Sequence, residues 1–364
     1  VQQEAFNTLP SVARANLHTN ASHRLIAENG AKMTDFRASA HTFLNTLIRA
    51  PESVLNDLAH EHLAPDCVWD VSHPINHLVG PDAVLDGFVR PLRAALTRVQ
   101  RRDEIFIGGQ NIREEGGEWV ASVTHYLGNF DAPFLGIAPS YHLMLARSGE
   151  FYRIDDGLIT KARIILDIPD MIRQTGINPF GASYGLETLF PGPATHDGVL
   201  PDSDQDMAGR SLDVVEGMLA DLHNFDPTTF SSSNQTGASG YWHEDMLWYG
   251  PAGIGSNYLW DGFVRDHREP FLRAFPDRKG GDHYCRLGDG NYAAISGWPS
   301  MTMTFKGDYL GVKADGRALT LRVMDFYRCA DGKIMENWVL LDYNDLMAQM
   351  GVDLIAKTQT LRGH

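Results

Sequence analysis

Residues 325–351, DFYRCADGKIMENWVLLDYNDLMAQMG, are nearly copied 175 positions earlier at residues 150–176, EFYRIDDGLITKARIILDIPDMIRQTG. The same offset pairs Asp86-Gly87-Phe88-Val89-Arg90 with Asp261-Gly262-Phe263-Val264-Arg265, Leu135-Gly136 with Leu310-Gly311, and Leu166-Asp167 with Leu341-Asp342. We expect one offset to hold from residue 86 to 176, with a local insertion in the first copy between Trp69 and Asp86. Solenoid repeats recur roughly every 20–50 residues. This unit is far longer, so each copy should be a whole domain. Two copies on one chain can dock as a homodimer does, about an approximate two-fold axis.

The rest of the sequence fits two α+β domains. Phe36, Ala40, Phe43, Leu44, Leu47 and Ile48 recur at helical spacing, and a second amphipathic run spans residues 81–99. Strand-like runs at 103–112, 119–130, 141–154 and 159–168 follow, separated by Gly-rich and charged breaks. Helices gathered beside an antiparallel sheet give an α+β layout. The expected divisions are an arm at 1–33, a domain at 34–177, a Gly/Pro/Asp-rich linker at 178–211, a domain at 212–354 and a tail at 355–364. The net charge of −15 argues against nucleic acid or an anionic membrane as partner, because both need basic surface. Three scattered cysteines do not make a disulfide framework, and a reduced, cytoplasmic setting is expected. His60-Glu61-His62 lacks the spacing that would bring ligands to one helix face, so no metal is expected.

Several of these motifs carry a resemblance. The early strand with Trp69 or Trp248, the helix with DGFVR, the Asp-Gly turn after FYR, and the closing GKIMENWVLLD–DLMAQMG are similar to the SnoaL-like polyketide cyclase family, within the nuclear-transport-factor-2-like group. The resemblance covers residues 34–177 and 212–354. It implies two cone-shaped domains, each a curved antiparallel sheet around a pocket covered by helices, arranged as a pseudo-dimer. It also implies cofactor-free chemistry with an aspartate on the last strand as general acid/base. Asp342 matches that position, and Asp167 matches it in the first copy. The first copy departs from the motif, with Lys161-Ala162-Arg163 where the second has Glu336-Asn337-Trp338.

Alternation along the last strand puts Ile334, Glu336, Trp338, Leu340 and Asp342 on one face. If that face lines the pocket, burial raises the Asp342 pKa toward neutrality, which suits proton shuttling. The competing use of Asp342 is as the cap of the following helix or the partner of an arginine. Arg153 and Arg328 are candidates for that pairing or for holding substrate. Trp338, Trp248 and Trp69 are expected pocket walls. His125, His73 and His77 are further candidates, His125 for acid/base work and the other two for substrate contact.

The expected activity is acid/base chemistry next to a carbonyl of a small organic molecule: cyclisation, isomerisation or dehydration. No cofactor is expected. The alternative is a non-catalytic binder or scaffold with its pockets packed shut. A small-molecule partner and an internal pseudo-dimer are expected, and further homo-oligomerisation is left open.

Overall fold

A computed structural model describes residues 35–281 and 283–362; the expected arm at 1–33 lies outside them. In the first copy, helices α1 (Phe36–Arg49) and α2 (Glu52–His62) precede strands β1 (Leu63–Val71) and β2 (Asn76–Val79). A helical rod follows: α3 (Pro81–Val84), a π turn (Leu85–Val89) and α4 (Arg90–Ala95). Strands β3 (Leu96–Gln110), β4 (Glu118–Phe130), β5 (Leu143–Asp155) and β6 (Leu158–Leu166) then lead into α5 (Ile168–Gln174). The sheet order is β2-β1-β6-β5-β4-β3. It is mixed, because β1 returns parallel to β6.

The second copy repeats this plan. Helix α6 (Gln205–His223) leads to β7 (Trp242–Tyr249) and β8 (Asn257–Tyr258). The rod α7 (Leu259–Phe263), π turn (Val264–Arg268) and α8 (Glu269–Ala274) comes next, followed by β9 (Lys279–Gly280). The remaining strands are β10 (Cys285–Asp289), β11 (Tyr292–Thr304), β12 (Ala318–Ala330) and β13 (Lys333–Leu341). Helix α9 (Tyr343–Gln349) closes the copy, and α10 (Leu354–Arg362) occupies most of the expected tail. Its strand order β10-β11-β12-β13-β7-β8 is that of the first sheet. The α+β architecture with two cone-type domains therefore holds. No helix among the described residues is long and apolar enough to cross a membrane.

The repeat is less uniform than a single offset. Strand register pairs Trp69 with Ala162 and Trp248 with Asn337, so the two tryptophans are equivalent at an offset of 179. The same offset carries one π turn onto the other and α4 onto α8, with Pro91 equivalent to Pro270. The DGFVR match is therefore displaced by four residues, about one helical turn. Such a slip keeps the same helix face inward, which is why the sequences align either way. The insertion expected between Trp69 and Asp86 is absent. The extra length lies in the β3–β4 hairpin, turned by residues 111–117 where the second copy uses only Gly290-Asn291. The second copy compensates partly with a bulge between Gly297 and Met301. From there to the ends of α5 and α9 the offset is 175.

The outer faces of the two sheets pack against each other in a shared core. It holds Ile105, Ile107, Trp119, Phe151 and Ile165 from one copy and Tyr284, Leu287, Phe326, Trp338 and Leu340 from the other. Phe151 touches its own equivalent, Phe326, with ring centroids 5.5 Å apart, which marks the pseudo-two-fold axis. Residues 178–204 form no helix or strand but are held by both copies. Leu186 bridges to Ser256, Val199 bridges to Phe106, and the Thr188 carbonyl accepts from Arg147.

Candidate functional site

The two motif aspartates play one symmetric structural part. Asp167 caps α5 by accepting the Asp170 N–H at 3.0 Å, and Asp342 caps α9 by accepting the Asp345 N–H at 3.1 Å. Each is ion-paired to the equivalent arginine, Arg147 at 2.7 Å and Arg322 at 3.0 Å. Each also reaches across to the other copy. Asp167 accepts the Ala252 N–H at 3.0 Å, and Asp342 accepts the His73 N–H at 3.3 Å. Burial raises both carboxyls against the pull of their arginines, Asp342 to about 6. Because both caps and both cross-copy bonds are equivalent, Asp167→Ala and Asp342→Ala should each cost about 1–3 kcal/mol in urea denaturation. A loss confined to Asp342 would contradict the symmetric role.

The expected pocket face of the last strand is corrected. Glu336, Trp338, Leu340 and Asp342 turn toward the other copy and residues 178–204, while Asn337, Val339 and Leu341 line the second copy's cavity. Trp338 stacks on Tyr249 and donates its indole N–H to the Pro191 carbonyl at 2.9 Å. Arg328 pairs with Glu336, and Arg153 with Asp155, so neither meets the aspartate expected across the strand. His125 lies on the inter-copy face with Trp119 and Val123, 3.6 Å from Glu104, and its second-copy place is taken by the bulge. His77 is exposed and bonded to Asp70, and His73 contributes main-chain groups only, to Asp342 and Asn344. Trp69 is packed in the first interior against Phe88 and Tyr152. Of the expected pocket walls, Trp248 alone lines the cavity.

That cavity, of about 220 Å³, lies inside the second copy between its sheet and its helical rod. Its sheet wall is Ile295 of β11, Val323, Asp325 and Tyr327 of β12, and Asn337, Val339 and Leu341 of β13. Trp248, Phe263, His267 and Phe271 supply the aromatic side, and the rim reaches exposed Gly280 and Gly281. The longer first-copy hairpin contributes Arg113, whose Nε donates to the His283 carbonyl at 2.9 Å, so the site draws on both copies. Asp325 is surrounded by protein yet keeps some accessible surface, as a side chain facing an internal cavity does. Burial pushes its carboxyl up to about 7, against the hydrogen bonds of Asn337 and Tyr327. His267 stacks on Trp248 with centroids 4.5 Å apart, and burial holds its pKa down to about 3.

The first copy shows what this carboxylate does when it is not left open. Glu150 takes the place of Asp325 and is fully buried. Arg101 pairs with it, and Tyr126 and Tyr152 each donate to it at 2.6 Å. Arg101 also bonds Ser122 at 2.7 Å and pairs with buried Asp103 at 2.8 Å, so every group of this network is satisfied. Strand register gives the second-copy equivalents. Gly280 stands for Arg101, Met301 for Tyr126 and Ile295 for Ser122. Asn337 replaces Ala162. Deleting the arginine and tyrosine removes the bulk and the neutralising partners together.

Sequence reasoning passed over Glu150 and Asp325, although both open their repeat units two positions before an equivalent tyrosine. Side chains two apart on a strand share a face, and that spacing was the available signal.

A search of curated proteins returns no match. Among solved structures, IdmH of Streptomyces antibioticus is 18% identical with a TM-score of 0.32, covering 39% of this chain and 99% of its own. AclR of Streptomyces galilaeus is 22% identical with a TM-score of 0.31, covering 40% and 97%. A SnoaL-like protein of Jannaschia sp. CCS1 is 17% identical with a TM-score of 0.31, covering 37% and 87%. Residues 224–350 match the family described as SnoaL-like polyketide cyclase. Within the second copy, which holds the open cavity, residues 224–350 are thus a SnoaL-like domain.

Proposed function

We propose that the second copy is a cofactor-independent acid/base enzyme acting next to a carbonyl, with Asp325 as its base. The observation that carries this reading is a carboxyl tuned to about 7 in an open, mostly apolar cavity, while its counterpart Glu150 is locked. A base poised near neutral pH can both accept and return a proton. Asp325 takes a proton from the carbon beside the carbonyl, and the C–H electron pair becomes the enolate, with negative charge on oxygen. In an isomerisation Asp325 returns the proton elsewhere on that framework. In a cyclisation the enolate carbon bonds to a second carbonyl carbon, and the new alkoxide takes the proton from Asp325. Tyr327, its own pKa raised by burial and by Asp325, stays a hydroxyl and orients the carboxylate.

Asp342 and Asp167 support the reading differently, as caps and docking groups for the two-copy assembly. The test is α-proton exchange of 2-tetralone in heavy water, followed by NMR. Exchange should rise with pH as one group deprotonates near 7, falling about tenfold per unit below it. Asp342→Asn, which keeps a capping side chain, should retain that profile. A wild-type rate no faster than buffer would overturn the proposal, as would a profile unchanged in Asp325→Asn.

A further inference from the structure

The cavity wall carries four arginines, Arg113, Arg268, Arg278 and Arg286, and one carboxylate, Asp325, in a chain whose net charge is −15. Arg286 is ion-paired to Glu216 at 2.7 Å, and Arg113 is spent on the His283 carbonyl. Arg268 and Arg278 have no ion-pair partner among the described residues. Arg268 is 4% exposed and donates Nε to the Phe230 carbonyl at 2.7 Å, while its buried Nη2 has no partner. Arg278 donates Nη2 to the Leu222 carbonyl at 3.3 Å. The carboxylate acting on Arg268 is Asp221, whose oxygens are held by Ser233 and Asn234. Beside them the buried Nδ1 of His267 is also unpartnered. Burial and the charge of Arg278 push Arg268 down to about 10.

A buried cation without a counter-charge is costly, and natural interiors normally pair it. The first copy has none of this. At the offset fixed by the π turns, His267, Arg268 and Arg278 correspond to Phe88, Val89 and Val99, all buried and apolar. The cations thus occur only where the cavity is open. A π turn, which often marks a functional position, places both His267 and Arg268 on the wall. The groups acting on Asp325 are Asn337 and Tyr327, whereas those acting on His267 are Arg268 and Arg278, so the cavity has two polar poles.

We infer that Arg268 and Arg278 form an anion subsite, and that the substrate is a carbonyl compound bearing a carboxylate or similar oxyanion. The missing counter-charge is supplied by the ligand, through charge-assisted hydrogen bonds from the free guanidinium nitrogens. The inference rests on the cavity being the binding site, and it fixes which end of the substrate faces which pole.

The test is calorimetric titration of the full chain with 2-naphthoate and with its neutral methyl ester. Wild type should prefer naphthoate. Arg268→Gln and Arg278→Gln should each weaken naphthoate tenfold or more while changing ester binding less than twofold. Asp325→Asn should bind naphthoate at least as tightly as wild type. Equal loss of both probes in the arginine variants, a wild-type preference for the ester, or no naphthoate binding would each overturn the subsite. If melting shows Arg268→Gln unfolded, Arg278→Gln carries the test, since that side chain makes a single backbone bond. Failure of the catalytic reading would appear separately, as lost tetralone exchange with this selectivity intact.

Discussion

Asp325→Asn should abolish proton transfer and make the protein more stable at pH 8. The exchange rate of 2-tetralone should fall by roughly 10²–10⁴, the usual contribution of a positioned base. The stability gain follows from linkage. The folded carboxyl titrates near 7, above its ordinary value of 3.8, so the folded state holds the proton more tightly than the unfolded chain does. The favourable contribution is complete below about pH 4 and is lost as pH rises through 7. Above that, the buried charge destabilises by up to about 4 kcal/mol, and by about 2–4 kcal/mol allowing for water in the cavity. Asparagine resembles the protonated acid. Wild type and variant should therefore match in urea denaturation at pH 4 and separate by that amount at pH 8. Equal stability at both pH values, with undiminished exchange, would remove Asp325 from the site. A carboxylate held in an apolar cavity at a cost in stability is what the proposed base requires.

The second large effect belongs to the closed copy. Arg101→Met should lower stability by about 3–5 kcal/mol, because it strands Glu150 in an interior with no counter-charge. Replacing both partners, as Arg101→Met with Glu150→Gln, should recover part of the loss, since Glu150 is no longer stranded while Asp103, the second carboxylate on Arg101, keeps its contact with His41 at 3.2 Å. Denaturation of the two variants side by side decides the matter. An Arg101→Met protein as stable as wild type would mean that the network does not hold the first interior shut. Neither variant should alter tetralone exchange per folded molecule, because the network lies in the copy without the cavity.

Together these variants separate two fates of one position. Glu150 and Asp325 begin equivalent FYR stretches, yet one is locked in a buried ion pair and the other faces the cavity. The difference is made by residues far away in sequence: Arg101 against Gly280, Tyr126 against Met301, and Ala162 against Asn337. The longer β3–β4 hairpin adds a further asymmetry by carrying Arg113 to the rim of its neighbour's cavity.

The sequence by itself determined the duplication, the α+β class, the pseudo-dimer and most elements, because hydrophobic period and turn residues are local signals repeated twice. It also singled out Asp167 and Asp342 as a matched pair, which they are. Only the tertiary structure decided their use. Alternation tells which residues share a strand face but not which of two buried faces surrounds a cavity, since a sheet covered on both sides is apolar on both. Trp338 and Asp342 fell on the face that meets the other copy, and Asp325 and Asn337 on the face that meets the helical rod. The one-turn slip of DGFVR is hidden in the sequence for a similar reason, as a shift of four keeps the same helical face. Emptiness was the last thing the sequence could reveal. A cavity is made by what several distant strands and helices leave out, and no single stretch of chain records it.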